Sequence, residues 1–338
     1  MAALSAAGPT LMGTSHRRDP IRSVVGRVRE GLASLLALPE GYEVLLGNGG
    51  ATAFWDAAAF CLIVRRSEHV VFGEFSGKFA AAVRTAPHLA EPVVVEAPPG
   101  SHPEPVPDDT VDAYALTHNE TSTGVSMPVR RPAAGGLVLV DATSAAGALD
   151  VDPAEFDVYY FSPQKALGAD GGLWLACCSP DAVDRIEGGG RWAPAFLDLR
   201  LALDESRRNQ TYNTPAIATM LLLADQVDWL LDRGGLPWAV RRGEEAAAVV
   251  YGWAEGSRYA RPFVAEPGMR SRTVATIDLE ESVPAGSVTA ALRANGIVDV
   301  EGYRKLGRNQ IRIGMFPNIE PDDLQILTAA VDWIVERL

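Results

Sequence analysis

Apolar positions along this chain follow two repeating patterns, and their alternation predicts the architecture. From Ile21 to Leu38 the apolar residues Val24, Val25, Val28, Leu32, Leu35 and Leu36 fall three and four apart, which predicts a helix stopped by Pro39. Tyr42 to Leu46 is then a short strand. It runs into Gly47-Asn48-Gly49-Gly50-Ala51-Thr52 and a second helical run, AFWDAAAFCLIV. Val70 to Phe72 predicts a strand, ending in Gly73-Glu74-Phe75-Ser76 before a helix from about Lys78. Pro92–Glu96 and Val111–Thr117 predict two more strands, separated by a proline-rich surface loop, Pro98–Asp109. Leu137–Val140, Val158–Phe161 and Leu173–Cys177 are short continuous apolar runs bounded by Gly, Pro, Asp or Ser, the form of strands buried on both faces.

After Pro180 the pattern changes. A short helix around Asp181–Glu187 precedes an irregular stretch, Gly188–Thr214, and two helices are predicted over Pro215–Leu231 and Pro237–Trp253. Beyond Arg258 the units shorten to a strand at Thr273–Leu279, a helix at Ser287–Ala294 and a strand at Gln310–Met315. A closing helix opens at Pro321, with Asp322 and Asp323 in its first turn and Arg337 in its last, signs that match the helix dipole. The reading is an α/β chain. A large domain of mostly parallel sheet flanked by helices spans 21–239, a smaller C-terminal α/β domain spans 240–338, and residues 1–20 form an N-terminal segment.

Composition narrows the functional classes. A formal net charge of −13 argues against general nucleic-acid binding, which needs a basic face. The five histidines, at 16, 69, 88, 102 and 118, show no metal-ligand spacing, so no metal is expected. No apolar run is long enough to span a bilayer and the N-terminus lacks a signal-peptide pattern, which predicts a cytoplasmic protein with no membrane partner. Cys61, Cys177 and Cys178 make no disulfide framework.

Lysine usage does point to chemistry. Only Lys78, Lys165 and Lys305 occur, against 27 arginines. Arginine cannot form a Schiff base, so a lysine retained in such a chain is a candidate for chemistry that needs an amine. Asp141 follows directly on one apolar run, and Lys165 comes shortly after the next. Ligands bind beyond the carboxyl ends of strands in open α/β sheets, so this acid and this amine can converge on one small molecule. The glycine-rich turn before the second helix offers backbone N–H groups to a phosphate, with Thr52 adding a hydroxyl. Phe75, at a strand end, can cover a flat ring.

Asp141, Lys165 some 24 positions on, and the upstream glycine-rich turn resemble a fold-type I pyridoxal phosphate enzyme of the class-V aminotransferase group. More narrowly, GNGGATAFWDAAAF, GEFSGKFA, HNETSTGV, VDATSAAG, YYFSPQK, NQTYNTPAIAT, RANGIVD and YRKLGRNQIRIGMFP are similar to segments of phosphoserine aminotransferases, especially those of actinobacteria. The resemblance runs from about residue 12 to the end. It implies pyridoxal 5'-phosphate carried on Lys165, with Asp141 on the pyridine nitrogen, Thr121 on the ring hydroxyl and Phe75 stacked on the ring, where many members have tryptophan. Ala51 and Thr52 would hold the cofactor phosphate, with Gln164 beside the lysine. Asn213 and Thr214 would reach the cofactor phosphate of a neighbouring subunit, which implies a homodimer with shared active sites. Arg312 would bind the substrate α-carboxylate, and His16, Arg17 and Lys305 the substrate phosphate or the glutamate side chain.

The implied reaction is ping-pong transamination between O-phosphoserine and 2-oxoglutarate in serine biosynthesis, with the phosphohydroxythreonine step of vitamin B6 synthesis as a related use. Alternatives are another class-V enzyme, a serine–glyoxylate aminotransferase or a cysteine desulfurase, and a non-catalytic binding or regulatory protein on the same fold. Desulfurases place His before the lysine, where Gln164 stands here. Against the family pattern, the segment upstream of His16 reads as shortened.

Overall fold

The computed structural model describes residues 2–338. In chain order its helices are α1 (Ala2–Leu11), α2 (Asp19–Leu35), α3 (Ala51–Cys61), α4 (Glu74–Arg84), α5 (Pro180–Gly188), α6 (Leu199–Arg207), α7 (Ile217–Asp232), α8 (Gly235–Gly256), α9 (Ala285–Ala294) and α10 (Pro321–Val335). Its strands are β1 (Glu43–Asn48), β2 (Ser67–Val71), β3 (Val93–Glu96), β4 (Ala113–Thr117), β5 (Asn119–Glu120), β6 (Val125–Ser126), β7 (Leu137–Asp141), β8 (Val158–Phe161), β9 (Leu173–Cys178), β10 (Ala260–Pro262), β11 (Val274–Leu279) and β12 (Gln310–Gly314).

Seven strands form one sheet in the order β1-β9-β8-β7-β4-β2-β3. All neighbours pair in parallel except β9, which is antiparallel to both β1 and β8. Strand alternation divides the buried side chains between two faces. Val138, Val140, Tyr159 and Phe161 face a core shared with α2 and α7, while Leu137, Leu139, Val158 and Tyr160 face α3, α4 and α6. Helices on both faces are what make these strands apolar throughout, and they leave the carboxyl ends of β1, β4, β7 and β8 on one edge. A separate antiparallel sheet, β10-β11-β12, packs with α8, α9 and α10 around a third core. Among the described residues no helix is long and apolar enough to cross a membrane.

The structure departs from the sequence pattern in several places. Residues 2–11 form a helix, with Leu4 and Leu11 against the first core. The stretch 188–214 is not irregular throughout. It contains α6, capped by the Asp198 side chain and burying Leu199, Ala202, Leu203 and Ser206, a helical stripe obscured by the charges around it. Helix α4 begins at Glu74, so Phe75 sits in its first turn rather than ahead of it. Helix α8 spans two cores, with Leu236 and Ala239 in the first and Ala246, Val250 and Ala254 in the third. Arg337 lies beyond the end of α10, although its guanidinium still donates to the Trp333 carbonyl (2.8 Å).

Candidate active site

The site is built where parallel strands stop. Thr117 and Asp141 are paired last residues of β4 and β7, and Lys165 lies on the connection that leaves β8 and returns as antiparallel β9. On the other side of β9, the turn after β1 is folded back by Gly49 (φ +112°), whose N–H donates to the Gly172 carbonyl (3.0 Å). That turn delivers the start of α3. Among the described residues nothing accepts from the N–H groups of Ala51 and Thr52, which leaves both free for an anion at the helix N-terminus. Together these ends enclose a cavity of about 300 Å³. Ala51, Thr52, Phe75, Thr121, Asp141, Gln164 and Lys165 all line it, so seven sequence-predicted residues from five separate segments meet in one place.

The acid and the amine share the cavity without bonding to each other. Lys165 Nζ donates to Thr121 Oγ1 (3.0 Å) and Ser144 Oγ (3.1 Å), two hydroxyls that are themselves hydrogen-bonded. Nζ lies 5.2 Å from the centre of the Phe75 ring. Burial pushes the Lys165 amine down and Arg312 adds to the shift, while Asp141 and Glu120 oppose it, and the balance leaves it at about 8. A substantial neutral fraction is therefore present near neutral pH, which a nucleophilic amine requires. Asp141 is 7% exposed, and burial raises its carboxyl above the ordinary range, opposed by the Thr143 N–H (2.9 Å) and by Lys165. A buried carboxylate without an ion-pair partner is costly, and a protonated ring nitrogen bound beside it would offset that cost.

The remaining predicted residues fall into two groups. Arg312, on β12 of the second sheet, does not line the cavity but lies beside Thr121, which does. It is half-buried, its Nη1 lies 3.5 Å from the Thr121 carbonyl, its guanidinium is over the Tyr303 ring at 5.6 Å, and burial depresses its pKa. No carboxylate pairs with it among the described residues. Lys305 is exposed and bonds to Glu74 at the start of α4. His16, Arg17, Asn213 and Thr214 are not on the cavity wall. They form a patch of their own, in which His16 Nδ1 meets Thr214 Oγ1 (3.1 Å) and Arg17 donates to Gln210 (2.7 Å) and Glu205 (3.3 Å). Asn48 of β1 donates to the Thr214 carbonyl (2.8 Å), which ties the patch to the strand leading into the glycine turn.

Sequence reading assigned no role to Asn119, Thr143 and Ser144, although all three line the cavity. Alternation along HNET and the position of Ser144 three residues after Asp141 were the available signals. Asn119 is 4% exposed, and neither its Nδ2 nor its Oδ1 has a partner. Orphaned polar atoms on a cavity wall call for a ligand that supplies partners, since each unpaired buried group costs about 1–3 kcal/mol.

The fit to pyridoxal phosphate is good on the chain's own chemistry. An anion site at Ala51 and Thr52, a carboxylate for a ring nitrogen, hydroxyl and amide groups for a ring oxygen, an aromatic cover and an amine all border one space. A larger hollow, about 440 Å³, lies away from these groups beside Cys61. Its Arg185 and Arg191 are already bonded to backbone carbonyls. No cluster of potential metal ligands occurs among the described residues. None of the three cysteines lines the cavity, and burial raises all three thiols, Cys61 to about 11 and Cys177 to about 12.

The chain is similar to known proteins along almost its whole length. The family profile described as Aminotransferase class-V matches residues 10–304. The chain is 58% identical to a putative phosphoserine aminotransferase of Mycolicibacterium vanbaalenii, covering 99% of this chain and 92% of that protein. It is 57% identical to a phosphoserine aminotransferase of a Nocardioides species, covering 99% and 92%. Among solved structures, a phosphoserine aminotransferase from Cytophaga hutchinsonii superposes with a TM-score of 0.90 at 26% identity, covering 98% of this chain and 93% of that one.

Proposed function

The chain belongs to the class-V aminotransferase family, and we propose that it transfers the amino group between O-phospho-L-serine and 2-oxoglutarate, using pyridoxal 5'-phosphate. The observation that carries the reading is the pairing across one cavity of Asp141 with an amine, Lys165, that titrates near 8. The substrate assignment draws on the relatives that bear this name at 57–58% identity.

When bound, the cofactor supplies an electron sink for the pair released as the substrate Cα–H bond breaks. Each side chain then has a separate task. Asp141 keeps a proton on the ring nitrogen. Lys165 Nζ would hold the cofactor between turnovers and, once freed as an amine, would carry the proton from the substrate Cα to the cofactor carbon, a transfer suited to a group poised near the working pH. Thr121, Ser144 and Asn119 hold the ring edge, Phe75 covers one face against water, and Ala51, Thr52 and Gln164 hold the phosphate end. Arg312 clamps the α-carboxylate through its planar fork.

The reading includes a homodimer in which His16, Arg17, Asn213 and Thr214 serve the partner subunit's cavity. Two features support it: these four residues are grouped apart from their own chain's cavity wall, and Trp192, Phe196 and Tyr212 are exposed on the neighbouring segment. Within the patch, His16 and Arg17 would bind the substrate's second anion, with Lys305 assisting from the far side, and Asn213 and Thr214 would reach the cofactor phosphate. Phosphohydroxythreonine has the same two anionic ends, so a role in vitamin B6 synthesis belongs to the same reading. So do a cytoplasmic location, which the unpaired cysteines favour, and a division into large and small domains near residue 240.

The test is a set of half-reactions on cofactor-loaded protein, following its visible absorption. Phosphoserine and glutamate should each convert the bound cofactor, while serine and alanine should not. Borohydride reduction should leave the cofactor on the Lys165 peptide alone. Conversion by alanine or serine with none by phosphoserine would refute the assignment.

A further inference from the structure

One buried carboxylate beside the cavity has no part in the chemistry described so far. Glu120 is fully buried in β5, between Asn119, which faces the cavity, and Thr121, which holds Lys165. Strand alternation turns its side chain away from both neighbours, toward α4. Its Oε2 accepts from the Phe75 N–H (3.1 Å), the Ser76 N–H (2.9 Å) and the Ser76 hydroxyl (3.0 Å). Its Oε1 accepts from the Ser122 N–H (3.2 Å) and the Ser122 hydroxyl (2.7 Å). Ser122 Oγ accepts in turn from the Glu74 N–H (3.0 Å), so three successive N–H groups of α4 are tied to one short segment. Gly73 makes the space. A Cβ there would lie 2.3 Å from Glu120 Cγ and 2.6 Å from Ser122 Oγ.

An ordinary helix cap satisfies one or two N–H groups with a single short side chain. Five donors on one buried carboxylate fix the position of whatever they belong to, and the group they fix first is Phe75. Among the described residues no cation pairs with Glu120; the lysines at this end of α4, Lys78 and Lys305, pair with Glu74 instead.

We propose that Glu120 is a positioning residue for the transamination site, holding Phe75 over the Lys165 amine and Thr121 beside it through one buried hydrogen-bond network. Its charge also reaches Lys165, where Asp141 and Glu120 favour the protonated amine and Arg312 opposes it. What is positioned rests on the aminotransferase reading; the network itself is tested on cofactor-free protein.

Glu120→Gln keeps the shape, removes the charge and turns an NH₂ group toward N–H donors. Hydrogen exchange at the Phe75 and Ser76 amides should quicken about 10- to 100-fold, as expected for lost charge-assisted bonds. The pH midpoint for acylation of Lys165, expected at about 8 in the parent protein, should move lower. With three lysines in the chain, mass spectrometry follows each one separately. Glu120→Asp restores the charge on a shorter arm, and should return the Lys165 midpoint while leaving Phe75 and Ser76 less protected. Val331→Ala, in the distant third core, controls for general loss of stability and should move neither readout. Parental exchange and titration in Glu120→Gln, or the same changes in Val331→Ala, would overturn the proposal. If both readouts shift as expected yet loaded enzyme takes an amino group from no donor, the positioning role stands and the functional reading falls.

Discussion

Replacing Arg312 by alanine separates the two ends of the substrate. The guanidinium flanks the cavity from β12, half-buried and without a carboxylate partner, its Nη1 3.5 Å from the Thr121 carbonyl. A bidentate clamp on an α-carboxylate comprises two charge-assisted hydrogen bonds, each worth about 1.5–3 kcal/mol. Partial solvation places the pair near the lower end, about 3–4 kcal/mol, or roughly 100- to 1,000-fold in kcat/KM. Every amino-acid substrate carries the same α-carboxylate, so phosphoserine and glutamate should lose the same factor. A second readout needs no substrate. Arg312 lowers the Lys165 pKa, so its removal should raise the Lys165 midpoint above about 8 and slow cofactor loading at pH 7. Arg312→Lys keeps the charge but not the fork, and should restore the midpoint while recovering only part of kcat/KM. The assay is steady-state kinetics with both donors alongside the pH dependence of loading. A loss confined to phosphoserine would place Arg312 on the phosphate and refute the assignment made here.

Three further outcomes follow from the same geometry. Mixing Lys165→Ala and His16→Ala subunits, each inactive alone, should restore up to about a quarter of parental activity, because half of the dimers are mixed and each has one intact shared site; no recovery after verified subunit exchange would rule out sharing. Asp141→Asn should stabilise the cofactor-free protein at neutral pH. Asp141 titrates higher folded than its ordinary 3.8, so the folded state holds the extra proton between the two values. Stability therefore falls as pH rises through that window and stays at the lower level above it. Chemical denaturation from pH 4 to 8 should show that fall in the parent and lose it in the variant, while cofactor affinity drops. Gly47→Ala should destabilise the protein by about 1–3 kcal/mol by the same measurement, since the new Cβ would lie 2.2 Å from the Trp174 ring inside the core.

How much of this was legible in the sequence depended on whether a signal was local. Asp141 and Lys165 could be placed at or just beyond strand ends because the apolar runs Leu137–Val140 and Val158–Phe161 are short and their limits are sharp. The start of α4 could not, because what begins it at Glu74 is the Glu120 carboxylate and the Ser122 hydroxyl, more than forty residues away. Helix α6 was hidden for the opposite reason: its buried stripe is regular, but arginine and acid on the exposed face mask the period. Asn119 carries no pattern at all. Its importance lies in having no hydrogen-bond partner inside a cavity, a property that exists only after folding.

The three lysines show what folding adds. In sequence they are spread over more than two hundred residues, and scarcity alone set them apart. In the fold they gather on one side of the cavity, around the first turn of α4. Lys165 lies 5.2 Å and Lys78 5.6 Å from the Phe75 ring centre, and Lys78 (3.3 Å) and Lys305 both reach the Glu74 carboxylate. Their environments then divide the work. Lys165 is inside, where burial brings the amine to about 8; Lys305 is exposed, and Glu74 holds its charge by raising its pKa. Electrostatics alone gives no reason for Lys305 to be lysine, since arginine would serve Glu74 at least as well. A flexible ammonium that bridges the second sheet's side of the cavity to α4 can leave Glu74 for an incoming anion at little geometric cost, whereas a planar guanidinium is held by its fork. On the proposed transaminase reading, the same property, an amine on a flexible stem, would account for lysine at both positions, as a nucleophile in one and as a movable charge in the other.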